Sequence, residues 1–144
     1  MSEQQQLLDQ LKEQAVLAAG HAYAPYSHFP VGAAVQGAGG HIYTGCNVEN
    51  ASFSLTQCAE RAALAAAISD GAKPGSLVAL VIYTPGRRAH PPCGACRQVM
   101  HELMAPDGLV ASCCDGEATR IWRGSEYLPE PFSPEALQQA PDTD

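Results

Sequence analysis

The sequence contains little positive charge. Lys and Arg together number 8 among 144 residues, against 15 Asp and Glu, and the formal net charge is −7. A protein that binds a polynucleotide needs a basic surface to neutralise the phosphates. Aromatic residues, which stack on the bases of single strands, make up only 6% of the chain. The composition therefore argues against a nucleic acid polymer as partner and favours a small ligand of low charge.

Long hydrophobic runs are also missing. No apolar stretch approaches the roughly 20 residues that a membrane-spanning helix needs, so we expect no membrane partner. Residues 1–11 are rich in Gln and acidic side chains and lack the basic and apolar regions of a secretion signal. We therefore expect a cytoplasmic protein with reduced thiols. In that compartment the six cysteines suggest metal binding or catalysis rather than disulfides.

The order of predicted elements indicates an α/β fold. The patterns predict helices over 4–20, 58–69 and 94–104, and strands over 31–36, 41–46, 77–83, 109–113 and 119–122. Because residues 62–68 are dominated by Ala, we expect the second helix to be buried nearly all round. The order predicts a three-layer α-β-α sandwich around a central mixed five-stranded sheet. The length fits one domain, 1–144, in which 128–144 form a Pro-rich tail with one helical turn after Ser133.

Two short segments carry a metal-binding pattern. Cys58-Ala59-Glu60-Arg61 opens the second predicted helix, and Pro92-Cys93-Gly94-Ala95-Cys96-Arg97 opens the third. Cys93 and Cys96 are three residues apart, so their thiols face one point, and helix N-termini favour thiolates. Three cysteine ligands suit zinc and leave its fourth position open, as catalytic zinc sites require. We therefore predict one Zn2+ ion held by Cys58, Cys93 and Cys96.

Neighbours of the three cysteines supply the remaining chemistry. Glu60 stands two residues beyond Cys58, so it can reach the open position without ligating and act as general acid and base. Arg61 and Arg97 directly follow their motifs. We expect both to donate hydrogen bonds to the sulfurs and offset the negative charge that three thiolates leave on one zinc. Zinc deaminases that act on nucleobases share this pattern in a three-cysteine form.

Two other interpretations of the cysteines stay open from the residues alone. A structural zinc site in a non-catalytic binding module would take His90 or Cys46 as its fourth ligand. A redox pair at Cys93 and Cys96 is also possible, but it leaves Glu60 and Cys58 unexplained. A deaminase of polynucleotides is disfavoured by the net charge.

The chain resembles the homotetrameric cytidine deaminases over nearly its whole length. The resemblance is carried by the two metal motifs and by Ala22–Ser27, Phe29–Ala34, Gly45–Ala51 and Leu128-Pro129. It implies the sandwich fold, one zinc per subunit, and a homotetramer with shared active sites. It also implies that a zinc-bound hydroxide adds to C4 of cytidine or deoxycytidine while Glu60 shuttles protons. The products are ammonia and uridine or deoxyuridine, as in pyrimidine salvage.

The same resemblance implies a set of substrate contacts. Asn47 and Glu49 correspond to residues that bind the ribose 3′-hydroxyl, and Phe29 to the ring that packs on the pyrimidine. The peptide N–H of Ala59 would bind the ring carbonyl. Phe132 looks like the aromatic residue that a neighbouring subunit lends to the pocket.

Two departures from the family pattern leave the substrate range open. Phe53 stands where the family usually has Tyr, which removes a hydroxyl contact. The loop over residues 85–92 is longer than usual and is expected to approach the amino-group side of the pocket. Deaminases of modified cytosine nucleosides, such as the blasticidin S type, therefore remain an alternative, although they typically lack the Asn-x-Glu-Asn pattern found at 47–50.

Overall fold

The computed structural model describes residues 1–138, so residues 139–144 of the predicted tail lie outside the described residues. Its helices and strands are α1 (Glu3–Ala19), β1 (Gly32–Gly37), β2 (Ile42–Cys46), α2 (Ala59–Ser69), β3 (Leu77–Tyr83), α3 (Gly94–Leu103), β4 (Met104–Cys113), β5 (Thr119–Arg123) and α4 (Glu135–Gln138). Short 3₁₀ turns cover Phe53–Leu55 and Gly124–Tyr127. No helix within this part of the chain is long and apolar enough to cross a membrane.

The sheet is mixed and five-stranded, as the sequence predicts. Its order is β2-β1-β3-β4-β5, in which β3 and β4 run parallel and the other neighbours run antiparallel. Alternate side chains of the central strands enter two separate cores. One core joins the sheet to α1 through Leu11, Ala15 and Val81. The other joins it to α2 and α3 through Leu64, Met100 and Leu80, so α2 and α3 share one face.

Strand β4 begins five residues before its predicted start at residue 109. Met104, the residue after α3, pairs with Leu77, and the register then shifts before Leu109 pairs with Ala79. Residues 105–108 contain Pro106 and Gly108, residue types that mark bulges within strands. The sequence pattern of a turn is therefore, in the structure, an interruption inside a longer strand.

Helix α2 is buried on one side only, which corrects the prediction of a helix buried nearly all round. Ala63, Leu64 and Ala67 have no exposed surface, whereas Ala65 is exposed. The reason is that α2 belongs to an outer layer of the sandwich. Its small side chains instead permit a close approach to the sheet, because a Cβ at Gly45 would lie 2.5 Å from the peptide nitrogen of Ala63.

The contact between α1 and β1 yields the first prediction. A Cβ at Gly32 would lie 1.8 Å from the carbonyl oxygen of Ala15. We expect Gly32→Ala to push α1 off the sheet and to lower the free energy of unfolding by about 3 kcal/mol, the upper range for overpacking. Urea denaturation measures the change.

The matched control is Gly39→Ala in the β1–β2 turn, where a Cβ meets no atom within 4 Å. We expect this variant to stay within about 0.5 kcal/mol of the wild type, as surface substitutions usually do. Equal stability of the two variants would show that α1 does not dock on Gly32.

Candidate active site

Three cysteine sulfurs converge where α2 and α3 begin. The sulfur atoms of Cys58, Cys93 and Cys96 all lie within 4.8 Å of one another, and those of Cys58 and Cys93 are 4.0 Å apart. Cys58 caps the N-terminus of α2 and Cys93 that of α3. Two sulfurs on a tetrahedral zinc stand about 3.8 Å apart, given a Zn–S bond of about 2.3 Å. The cluster therefore fits a zinc ion with little rearrangement.

The protonation of these thiols points to the same ligand. Hydrogen bonds from the Cys96 thiol and the Arg61 guanidinium lower the pKa of Cys58 to about 5. The hydrogen bond to Cys58, together with burial, raises the pKa of Cys96. The negative charge of a Cys58 thiolate thus disfavours a second negative charge on the sulfur of Cys96. A soft divalent cation removes this repulsion and deprotonates its thiol ligands.

Within residues 1–138, no fourth His, Cys, Asp or Glu joins the cluster. His90 and Cys46, the candidate fourth ligands of a structural zinc, lie outside it. Three protein ligands leave one coordination position for water or substrate, which is the arrangement of catalytic zinc sites. The donor set therefore favours catalysis over a purely structural role.

A pocket with a volume of about 210 Å³ lies beside the sulfurs, and Glu60 lines it. The Glu60 side chain is only 5% exposed. Burial raises the pKa of Glu60, and a hydrogen bond with the Cys96 thiol partly opposes the shift. A buried carboxyl group with a raised pKa can both accept and release a proton near neutral pH. Its position suits the proton carrier that the sequence predicts.

Phe29, Asn47 and Ala59 line the same pocket. Ala59 is the first residue of α2, so its N–H has no partner within the helix and is available to a ligand. The amide of Asn47 holds the pocket wall, because Oδ1 accepts from the N–H of Val31 at 2.9 Å and Nδ2 donates to the carbonyl of Phe29 at 2.8 Å. Each amide atom keeps the capacity for one further hydrogen bond.

Glu49 lies in an adjoining pocket with Tyr26 and Ser27, and Thr56 lines both pockets. One carboxylate oxygen of Glu49 accepts the N–H groups of Tyr26 at 2.9 Å and Ser27 at 3.1 Å. Hydrogen bonds from the Ser27 side chain and from these two backbone groups lower the pKa of Glu49. The carboxylate is thus held ionised next to the main pocket, although the structure does not place it in the same lining as Asn47.

Comparison with protein families agrees with this geometry. The family model for the cytidine and deoxycytidylate deaminase zinc-binding region matches residues 5–112, a range that contains all three cysteines and Glu60. The chain belongs to this deaminase family.

Relatives named cytidine deaminase match most of the chain. That of Sporosarcina psychrophila is 45% identical over 122 residues, 83% of this chain and 86% of its own length. That of Halalkalibacterium halodurans is 44% identical over 128 residues, 88% of this chain and 95% of its own. The solved cytidine deaminase of Burkholderia pseudomallei has a TM-score of 0.83 at 41% identity and covers 92% of this chain and 100% of its own. That of Mycobacterium tuberculosis has a TM-score of 0.72 at 38% identity, covering 87% and 96%. These likenesses confirm the predicted fold.

The two arginines beside the deaminase cysteines have different partners. Arg61 donates from Nη2 to the Cys58 sulfur at 3.2 Å, as predicted. The prediction is wrong for Arg97. Its Nε donates to the carbonyl of Pro92 at 2.8 Å, and its Nη1 donates to that of Tyr127 at 3.2 Å. Arg97 lies one turn into α3, and its side chain extends back towards the N-terminus. It therefore holds the segment that precedes Cys93 rather than a sulfur.

The contact between Arg61 and Cys58 gives the second prediction. Arg61→Ala removes the donor that stabilises the thiolate. We expect zinc affinity or kcat/KM to fall by about 10- to 100-fold, the range for partners of metal ligands. Competition with a chromophoric chelator and steady-state assays measure the two quantities. Arg120→Ala is the control, because Arg120 stacks 5.1 Å from the ring centre of Trp122 on the edge strand β5. An equal loss in both variants would contradict the role of Arg61.

Phe132 lies outside the pocket lining that the described residues form. Its side chain is 61% exposed, while its carbonyl accepts from Nε2 of Gln98 on α3 at 2.7 Å. The backbone of the tail is thus anchored to its own subunit, and the ring stays accessible to another.

The pocket also contains residues that the sequence analysis did not assign. They are Thr56, Ile82 and Thr84, whereas residues 90–92, which also line the pocket, belong to the loop that is expected to approach it. Thr56 and Cys58 both have extended backbones, and in an extended segment alternate side chains face the same side. That spacing is the signal that could have identified Thr56.

Proposed function

We propose that the protein hydrolyses the 4-amino group of cytidine and deoxycytidine, giving ammonia and uridine or deoxyuridine, in pyrimidine salvage. The observation that carries the proposal is the cluster of three cysteine sulfurs with an open fourth position beside the buried Glu60. Membership of the deaminase family and the naming of its relatives as cytidine deaminases support it. We further propose that the enzyme acts in the cytoplasm.

The site contacts both the face and the edge of the cytosine ring. Phe29 packs on the pyrimidine, as an aromatic ring does on a planar partner. The N–H of Ala59 donates to the carbonyl oxygen at C2, which directs C4 towards the cysteines. Asn47 and Glu49 hold the ribose hydroxyl, Asn47 through its spare amide capacity and Glu49 as an acceptor.

Glu60 moves the protons of the reaction. A zinc ion held by the three sulfurs supplies the Lewis acidity that makes water a nucleophile at neutral pH. The Glu60 carboxylate accepts a proton from the attacking water and delivers it to ring N3 as the new C4–O bond forms. It then transfers the second water-derived proton to the amino nitrogen. The C4–N bond breaks and ammonia leaves, so one water is consumed per product.

We also propose that the enzyme is a homotetramer in which a neighbouring subunit's Phe132 completes each pocket. Support comes from the exposed ring of Phe132 and from the apolar Phe53 and Leu55, 73% and 68% exposed, on the turn beside the adjoining pocket. We expect light scattering to give the mass of a tetramer, and Phe132→Ala to raise KM by several-fold. A fully active monomer at assay concentration would contradict the shared pocket.

The experiment that tests the activity uses purified, zinc-loaded protein with cytidine, deoxycytidine and blasticidin S. Ultraviolet absorbance follows the base, and ammonia release is measured in parallel. We expect rapid loss of cytidine absorbance with matching ammonia. Turnover of blasticidin S alone would reassign the substrate, and no turnover with zinc bound would favour a structural role for the metal.

A further inference from the structure

One wall of the pocket is built by the loop that precedes Cys93. His90, Pro91 and Pro92 line the same pocket as Glu60. The imidazole of His90 meets the ring of Phe29 with centroids 5.9 Å apart and planes at 77°. The two rings therefore form a corner of the pocket, with the stacking ring on one side and a hydrogen-bonding ring on the other.

Both ends of this loop are fixed. The N–H of Gly86 donates to Asp115 Oδ2 at 2.7 Å, and the N–H of Asp115 donates back to the Gly86 carbonyl at 2.8 Å. The Tyr83 hydroxyl donates to the other oxygen of Asp115 at 2.5 Å. At the far end, Arg97 holds the Pro92 carbonyl. His90 is thus carried on a short span between two anchored points.

The orientation of the base decides which of its atoms His90 faces. Under the proposed function, the edge of the base that bears N3 and the C2 carbonyl lies along α2, next to Glu60 and Ala59. C4 points to the sulfurs. In a pyrimidine ring C4 is flanked by N3 and C5, so the C5 edge lies away from α2. We infer that it faces residues 90–92, which line the same pocket.

We propose that His90 is a specificity-determining residue that contacts a substituent on C5 of the cytosine. Its imidazole can donate or accept a hydrogen bond, whereas the neighbouring Pro91 and Pro92 have no N–H. The enzyme therefore favours cytosine nucleosides with a small polar C5 group over those with an apolar group of equal size. This inference rests on the proposed deamination.

The same loop does not supply a phosphate site. Neither Arg87 nor Arg88 belongs to the pocket lining among the described residues. The Arg87 backbone lies beside Gly116, at the base of the loop. The two arginines of the loop therefore give this pocket no binding site for a nucleotide phosphate.

The test compares 5-hydroxymethylcytidine with 5-ethylcytidine, whose substituents match in size and differ in the hydroxyl group. We expect wild-type kcat/KM to favour the hydroxymethyl substrate by about three- to tenfold, the effect of one net hydrogen bond. His90→Phe keeps a ring against Phe29 without the nitrogens and should bring the ratio to about one. Arg88→Ala, on the same loop, should leave it unchanged. A wild-type ratio near one, or a ratio unchanged in His90→Phe, would overturn the inference while cytidine turnover stands.

Failure of the proposed function can be distinguished from failure of this inference, because in that case the zinc-loaded wild type would not deaminate cytidine. In that case calorimetry with 5-hydroxymethyluridine and 5-ethyluridine tests the wall without turnover. Tighter binding of the hydroxymethyl compound by wild type but not by His90→Phe supports the contact. Equal binding, or no binding of either compound, overturns it.

Discussion

We expect Glu60→Gln to lower kcat by about 100- to 10,000-fold while zinc stays bound, because a positioned acid–base group contributes that much to the rate. Gln has nearly the same shape as Glu but carries no transferable carboxyl proton. Glu60 is not among the three metal-ligating residues, so the substitution leaves the ligand set complete. Burial disfavours the charged form of Glu60 and raises its pKa. Because Gln is neutral and does not carry that cost, we expect no loss of thermal stability.

The measurements are kcat, zinc content by mass spectrometry and the unfolding temperature. Glu102→Gln is the control, because Glu102 is an exposed carboxylate on α3, and it should behave as wild type. Activity retained in Glu60→Gln would exclude Glu60 as the proton carrier. Loss of zinc would instead show that Glu60 helps to bind the metal.

The metal cluster could be predicted because its geometry is mostly local. Cys93 and Cys96 occupy adjacent positions on one helical turn, and Cys58 and Glu60 open another helix. Only the meeting of the two helix N-termini needs the tertiary fold, and the alternating pattern of helices and strands specifies that α2 and α3 pack on the sheet.

The contacts of Arg97 depend on partners that the spacing of residues in the sequence does not reveal. Arg97 reaches the carbonyl of Tyr127, 30 residues along the chain, and a motif that places it beside a cysteine says nothing of that partner. The early start of β4 could not be predicted from the local sequence either. Met104 pairs with Leu77, although the local pattern around Met104 indicates a helix end and a turn.

The fold and the site are joined at Gly45. A Cβ there would lie 2.6 Å from the carbonyl oxygen of Ala59, so the first turn of α2 rests directly on β2. Asn47 follows two residues after Gly45, and Cys58 immediately precedes Ala59. The close approach therefore brings the Asn47 amide and the Cys58 sulfur to the same pocket, and it explains why the helix that opens with Cys58-Ala59-Glu60-Arg61 consists of small residues.

Cys96→Ser removes one of three zinc ligands and should have the largest effect on metal binding. Zinc-binding free energies of about 10–16 kcal/mol are shared among a few ligands, so loss of one thiolate should weaken affinity by well over 100-fold. Binding to the native state alone stabilises it by an amount that grows with metal occupancy. A chelator should therefore lower the unfolding temperature of wild type and leave that of Cys96→Ser unchanged.

The matched control is Cys114→Ser, because Cys114 is as fully buried as Cys96, at 0% exposure, but lies outside the cluster of sulfurs. Both variants bury a hydroxyl group that keeps a hydrogen-bond partner, the Ala118 carbonyl at position 114 and Cys58 or Glu60 at position 96, so the cost of burying it is similar in the two. Only Cys96→Ser should lose the chelator-dependent shift. If Cys96→Ser kept that shift and its zinc, the metal would be held by other residues, and the open coordination position beside Glu60 would have no basis.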